Sequence, residues 1–437
     1  MMRSYLNHRG PLLRASLLGA GCLGFACSNI LGISEPMPLE VSAGAPSGGA
    51  GGALTTFAGN DAGGDESGGA GAGGESPSAA GAGGESAGEG GAGGQGGVEP
   101  QDGAGASGAA GGGGCVALAT QCSGNELQRC EDGAWVHDQD CAAYCVGGAC
   151  VNPPSCAALG TRTCGDTVSC CRALEVPGGT FIRDYDDKTN TSTHFTATVS
   201  SFLMDRFEVS VGRLAVFVNA YDQVVRKAGD GTSPHIAGDV GWQDDFPMPK
   251  DSAELKSQLA GCDYTSWDDE ESADLNLAAN CVSFYVAYAF CIWDQGRLPT
   301  EAEWNYAAAG GAEQREYPWS TQNNAGLDAD HAYYGQTFGL PIDVGTKPEG
   351  NGRWGHSDLS GNVNEWVLDY FSKVYPSSEC DDCLNSTPQA TRSIRGGGFR
   401  ANAVAQLSSS RTSDVPDHLR SFTGFRCVRD LPTLTEK

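Results

Sequence analysis

The chain is 437 residues long and strongly acidic, with a formal net charge of −27 and a sequence pI near 4.5. That length supports one large domain with accessories. The charge repels phosphate backbones, so no nucleic-acid partner is expected; it suits a solubilising, cation-attracting surface.

The N-terminus reads as an export signal. Arg3, Arg9 and Arg14 precede a short apolar run, Ala15 to Ala26, too short to span a bilayer. The run ends at Cys27 and resembles a bacterial lipoprotein cleavage site, although Gly24 and Phe25 depart from the usual residues and Cys22 is a second candidate. Residues 1–27 are therefore expected to be a signal and lipoprotein peptide. Lipidated Cys27 would be the membrane anchor, and the location an exported one in a bacterial cell envelope, as an outer-membrane lipoprotein. Residues 28–114 follow, dominated from residue 41 by Gly, Ala, Ser and Glu with almost no large apolar residue. Such a segment cannot bury enough surface to offset its ordering entropy, so it reads as a disordered tether. Residues 41–114 as a Gly-rich coil would span about 50 Å.

Cysteine usage agrees with export. Of 18 cysteines, setting aside Cys22 and Cys27, six lie in 115–150, four in 156–171 and six in 262–427. Even groups suit disulfides made in an oxidising compartment. A zinc site competes weakly, because Cys380 and Cys383 form the only short metal-type pair. Residues 115–171 read as a cysteine-rich module with little hydrophobic core, the stretch 156–171 being a stapled connector. Adjacent Cys170 and Cys171 are expected to bond elsewhere, since a bond between neighbours strains the intervening peptide.

The globular domain is expected over 172–432. VPGGTFIRDYD, from Val176, reads as strand, turn and strand, and SSFLMDRFEVS as a further strand. Ser210 can cap a helix that carries Leu214, Phe217, Val218 and Tyr221 on one face. Ser283 can cap a second, ending near Gly296. Thr300 and Glu303 form a capping box that opens a third, stopping at Gly310 and Gly311. Beyond it lie turns, short strands and glycines.

Several ordered motifs run through this region: GGTF from Gly178, FEVS from Phe207, RLPTEAEWNYAAAGG from Arg297, YPWS from Tyr317, DLSGNVNEWV from Asp358, RGGGFR from Arg395, RTSD from Arg411 and GFRCV from Gly424. Together they resemble the formylglycine-generating enzyme family, also called sulfatase-modifying factors. The resemblance covers roughly residues 174–430. It implies an irregular α+β fold, the formylglycine-generating-enzyme fold related to C-type lectins, here preceded by the small disulfide-rich module.

The resemblance also implies a site. Asp358, Asn362 and Glu365 sit close in a Gly-containing turn, and such oxygen donors suit a hard cation. By position, the family's calcium ligands would be the Asp358 side chain, the carbonyls of Gly361 and Val363, and Glu365. The alternative is a carboxylate pair bonded to local backbone. A second family calcium site is degraded, its leading Asn aligning near Tyr333. Cys291 and Cys427 align with a family disulfide; a second is missing, with Ala308 at its place, which leaves Cys262–Cys281 and Cys380–Cys383 as the favoured pairs.

The catalytic positions depart from the family. Its two copper-binding cysteines align to Ala401 and Gln406, and the Ser of its Gly-Gly-Ser run to Gly398. Formylglycine chemistry needs thiolates for Cu(I) and for a mixed disulfide with substrate, so copper is not expected and no catalytic residue is assigned. A second branch of the family uses non-heme iron, but the seven histidines contain no i, i+4 pair. Three functional readings follow. The first is a catalytically degenerate binding or scaffold module for a surface peptide or glycan. The second is an oxidoreductase of the family with unidentified chemistry, and the third a structural surface protein. Trp242, Trp267, Trp319 and Trp354 are either groove-lining or core.

Overall fold

The computed structural model describes residues 115–165, 167–185, 194–269, 274–321 and 326–431. The segments expected to be an export signal and a tether, with Cys27, lie outside them. No helix among the described residues is long and apolar enough to cross a membrane.

The chain enters through three antiparallel strands, Thr120–Ser123, Glu126–Glu131 and Ala134–Asp140, then a hairpin of Tyr144–Val146 and Ala149–Val151. Disulfides Cys115–Cys130, Cys122–Cys145 and Cys141–Cys150 staple this unit. Its own apolar cluster is Leu127 with cysteines, while Ala143 and Tyr144 pack against Ala173 and Leu203, so cross-links stand in for a large core.

Residues 156–171, read from sequence as a connector, are built into the globular domain. Helix α1 (Pro154–Leu159) packs on helix α2 (Val211–Ala220). The Ser155 amide donates to Asp294 Oδ1 at 2.9 Å, and Arg213 Nε donates to Ser155 Oγ at 3.1 Å. Cys170 and Cys171 do bond elsewhere, to Cys164 and Cys156.

The expected helices form with the expected caps. Ser210 Oγ accepts from the Arg213 amide at the start of α2, and Ser283 from the Val286 amide at the start of α4 (Phe284–Trp293). Thr300 and Glu303 close a reciprocal capping box on α5 (Glu301–Ala308). Helix α3 (Ser252–Ala260), capped by Asp251, was not foreseen. It buries only Leu255 and Leu259, so its sequence offers two apolar positions among polar ones.

The strands form small sheets. Phe202–Asp205 lies between Ala173–Val176 and the late strand Val428–Asp430, which brings both ends of the domain together. Thr196–Val199 lies between Gly179–Ile182 and Glu379–Asp381. A four-stranded sheet runs Thr412–Asp414, Arg392–Arg395, Asn364–Tyr370, Thr423–Gly424. The main core gathers the apolar faces of α2 and α4 with Trp366, Ile394 and Phe425. Cys291–Cys427 ties α4 to the closing strand, and Cys262–Cys281 and Cys380–Cys383 also form.

With so little regular structure, buried guanidiniums tie the short elements to one another. Arg213 and Arg429 both bridge Asp205 and Asp294; Arg297 joins Glu303 to Asp430; Arg395 joins Asp184 to Glu301. Each guanidinium offers five donors in a rigid fork, enough to satisfy carboxylates and stray carbonyls together.

Candidate functional site

Of the four residues expected to hold calcium, Asp358, Gly361 and Val363 lie on the loop that leads into the strand Asn364–Tyr370, and Glu365 lies in the strand itself. Asp358 and Asn362 both adopt positive φ, 59° and 54°. Gly361, at φ 91°, passes so close to the Tyr333 backbone that a Cβ would sit 2.7 Å from its carbonyl oxygen. Only glycine fits there.

Three carboxyls are buried around this loop. Asp358 Oδ2 accepts from the Gly345 amide at 2.6 Å. Glu208 Oε1 accepts from the Val363 amide at 2.9 Å, and its Oε2 from Asn362 Nδ2 at 2.5 Å. Glu365 accepts from Trp304 Nε1 at 2.9 Å and from Arg426 Nε and Nη2 at 2.7 Å each. Arg426 also donates to the carbonyls of Asp205, Arg206 and Ser357, so one side chain pins three segments.

Burial, then the neighbouring Asp358 and Glu365 charges, pushes the Glu208 carboxyl well above the usual range. Burial pushes Asp358 up to about 6, against the Gly345 amide that works to lower it. Three carboxyls share this interior, and burial and their mutual repulsion favour the protonated form of Glu208 and Asp358. Among the described residues no three His, Cys, Asp or Glu side chains converge closely enough to ligate one ion. An ion at this loop would therefore draw on backbone carbonyls as well, as expected for Gly361 and Val363. The donors are oxygen throughout, which fits calcium in kind. Glu365 would serve it while still bonded to Arg426. The sequence reading assigned no role to Glu208 or Arg426, although FEVS and GFR were visible motifs.

The catalytic positions of the family fall after the strand Arg392–Arg395. Gly397, at φ 61°, turns the chain where a Cβ would meet the Ala405 carbonyl oxygen at 2.2 Å. Ala401 is partly exposed; its amide donates to Gly398 O at 2.8 Å and its carbonyl accepts from the Gly335 amide at 3.0 Å. Gln406 is buried, and Ser360 Oγ donates to its backbone carbonyl at 2.9 Å. The cavity beneath the glycine run is only about 30 Å³, walled in part by Arg395 and Arg411. From Arg395 to Ser410 there is no cysteine or histidine. All sixteen described cysteines are in disulfides.

Aromatic side chains gather beside Ala401. Tyr264 and Phe338, 40% and 67% exposed, approach at 6.3 Å between ring centroids, and the Arg400 guanidinium lies 5.8 Å from the Tyr264 ring. Phe399 stacks on Tyr333 at 6.0 Å. Sequence reasoning missed this group, because its members come from three separated segments. Of the two readings for the four tryptophans, core and not groove-lining is the one found. Trp242 and Trp267 belong to the main core, Trp319 to a small cluster with Tyr317, and Trp354 stacks on Tyr306.

The chain is similar to several known proteins. The family described as "Sulfatase-modifying factor enzyme 1-like domain" matches residues 163–431. The formylglycine-generating enzyme of Thermomonospora curvata is 30% identical over 286 residues, 59% of this chain and 93% of its own. The inactive C-alpha-formylglycine-generating enzyme 2 of Mus musculus is 31% identical over 172 residues, 35% of this chain and 49% of its own. The solved structure of PvdO from Pseudomonas aeruginosa aligns with a TM-score of 0.43 at 21% identity, over 59% of this chain and 94% of that one. With well over half of its length matched, the chain belongs to the sulfatase-modifying factor enzyme 1-like family.

Proposed function

We propose that the protein is a catalytically degenerate member of this family, exported, anchored through lipidated Cys27, and acting as a ligand-binding module at the cell surface. One observation carries the reading. The positions of the family's thiolate pair hold Ala401 and Gln406, and the described cysteines that could replace them are committed to disulfides. An alanine methyl and a buried amide bind no Cu(I) and form no mixed disulfide. The matched mouse relative, named as inactive, is consistent with loss of chemistry within the family.

The exposed aromatic group beside Ala401 is the natural contact surface. Tyr264 and Phe338 offer rigid apolar area, and Arg400 a cation beside it. A peptide or a glycan suits such a surface. Calcium at Asp358, Gly361, Val363 and Glu365 would be structural, offsetting the repulsion among the buried carboxyls.

A glycan and peptide array probed with the full mature protein tests this. Saturable binding that drops at least about tenfold in Tyr264→Ala and Phe338→Ala supports the reading. Binding indifferent to both variants, or silence on every array, contradicts it.

A further inference from the structure

A second cavity, of about 270 Å³, lies away from the glycine run, walled by Phe246, Phe284, Tyr288 and Tyr370. Its polar lining is Asp239, Gln243, Ser386 and Arg392, and Arg392 is the one cation among them. That residue is 7% exposed, with its charge 3.5 Å from the Tyr370 ring centroid and 4.2 Å from that of Phe284. Nη1 donates to the Leu368 carbonyl; Nε is buried with no partner among the described residues.

The contrast with its neighbours is informative. Arg213, Arg297, Arg395, Arg426 and Arg429 are buried still more deeply, and each holds at least one carboxylate within 3.1 Å, while Arg183, also buried without one among the described residues, donates to two backbone carbonyls. Arg392 holds none within 4.0 Å among the described residues. The nearby acids are engaged elsewhere. Asp369 accepts from the amides of Glu301 and Asn385, and Asp239, in the cavity wall, from those of Ser233 and Gly241. Desolvation accordingly weakens the hold of Arg392 on its proton. A buried cation without a counter-ion is costly, and stacking on two rings offsets only part of that cost.

We propose that this cavity is a binding site for a small monocarboxylate with a flat apolar body, its carboxylate paired with Arg392 and its body between the aromatic walls. The site is independent of the face beside Ala401. One guanidinium matches one negative charge, and Asp239 in the wall disfavours a dianion such as phosphate. The volume lies just below the usual range of about 300–1,000 Å³ for small-molecule sites. The carboxylate could come from a free acid or from a peptide C-terminus.

Calorimetric titration of the full mature protein decides the matter. The probes are 3-phenylpropionate, 3-phenylpropionamide, and an acetylated tetrapeptide ending in Phe as the acid and as the amide. Each acid that fits is expected to bind saturably, with its amide at least roughly tenfold weaker through loss of the charge-assisted contact. Binding of the small acid alone assigns a free metabolite; binding of the peptide acid as well assigns a C-terminus. Arg392→Gln is expected to abolish binding. Because that variant also removes a buried stack, Ser386→Trp serves as the second. Ser386 is exposed on the cavity wall, so Trp there is expected to weaken binding at least roughly tenfold at an unchanged unliganded melting point. Equal affinity for acid and amide, unimpaired binding by folded Ser386→Trp, or no saturable binding of either acid up to about 10 mM overturns the proposal.

Discussion

Glu365→Gln separates two roles of one carboxylate. Glu365 is fully buried and meets three donors, two from Arg426 and one from Trp304. A glutamine supplies one acceptor oxygen and turns an NH2 toward a remaining N–H. It also removes the one carboxylate hydrogen-bonded to the buried Arg426 guanidinium. Breaking a buried pair from one side costs about 3–5 kcal/mol. At roughly 2–4 °C per kcal/mol for a domain of this size, the melting point is expected to fall by about 6–20 °C. This loss is independent of calcium. If calcium is bound, the wild type also loses about 2.7 kcal/mol when chelator replaces calcium at about 100 times its dissociation constant. Glu365→Gln is then expected to lose little more on chelation. Denaturant unfolding of both proteins, in calcium and in chelator, reads the four values. A wild-type midpoint indifferent to chelator refutes the calcium proposal. A Glu365→Gln loss below about 1 kcal/mol in chelator refutes the buried-pair argument.

Further outcomes follow from other parts of the fold. Burial, reinforced by the Glu301 charge, pushes the Asp369 carboxyl up to about 7. The folded state then holds a proton that the unfolded chain has released, so stability falls as pH rises from about 4 through 7. Asp369→Asn is expected to flatten that slope by up to about 1.4 kcal/mol per pH unit, measured by denaturant unfolding across the window. A slope unchanged by the substitution counts against it. Cys291–Cys427 spans 136 residues of sequence. Replacing both by Ala is expected to cost about 4–5 kcal/mol in the chain-entropy model, read from denaturation midpoints; a loss under about 1 kcal/mol would mean the bond constrains little. Cys27→Ser is expected to release the protein from membranes in a fractionation assay, and continued membrane association would sink the anchor.

What the sequence disclosed was local. Ser210, Ser283 and Thr300 announced three helices because a cap and its apolar face lie within a few residues. The cysteine groups announced disulfides because pairing is near-exhaustive in an oxidised chain. The loop Asp358–Glu365 was legible because its acids are close in sequence. What surrounds it was not. Glu208 and Arg426 lie far along the chain from Glu365, and only folding brings them into one charge cluster. Tyr264, Phe338 and Arg400 meet from three segments with no shared pattern. Arg392, in TRSIRGGG, reads as one more strand residue, and nothing local says that two rings enclose its charge. The connector 156–171 was set apart for its cysteines, while its tie to the domain runs through Ser155, Asp294 and Arg213.

Whether Ala401 and Gln406 leave the site without formylglycine chemistry is read by a conversion assay. The purified protein is incubated with a Cys-x-Pro-x-Arg peptide, with and without copper, and the peptide is followed by mass spectrometry. The account predicts no formylglycine in either condition. Copper-stimulated, multiple-turnover conversion of the cysteine would contradict it.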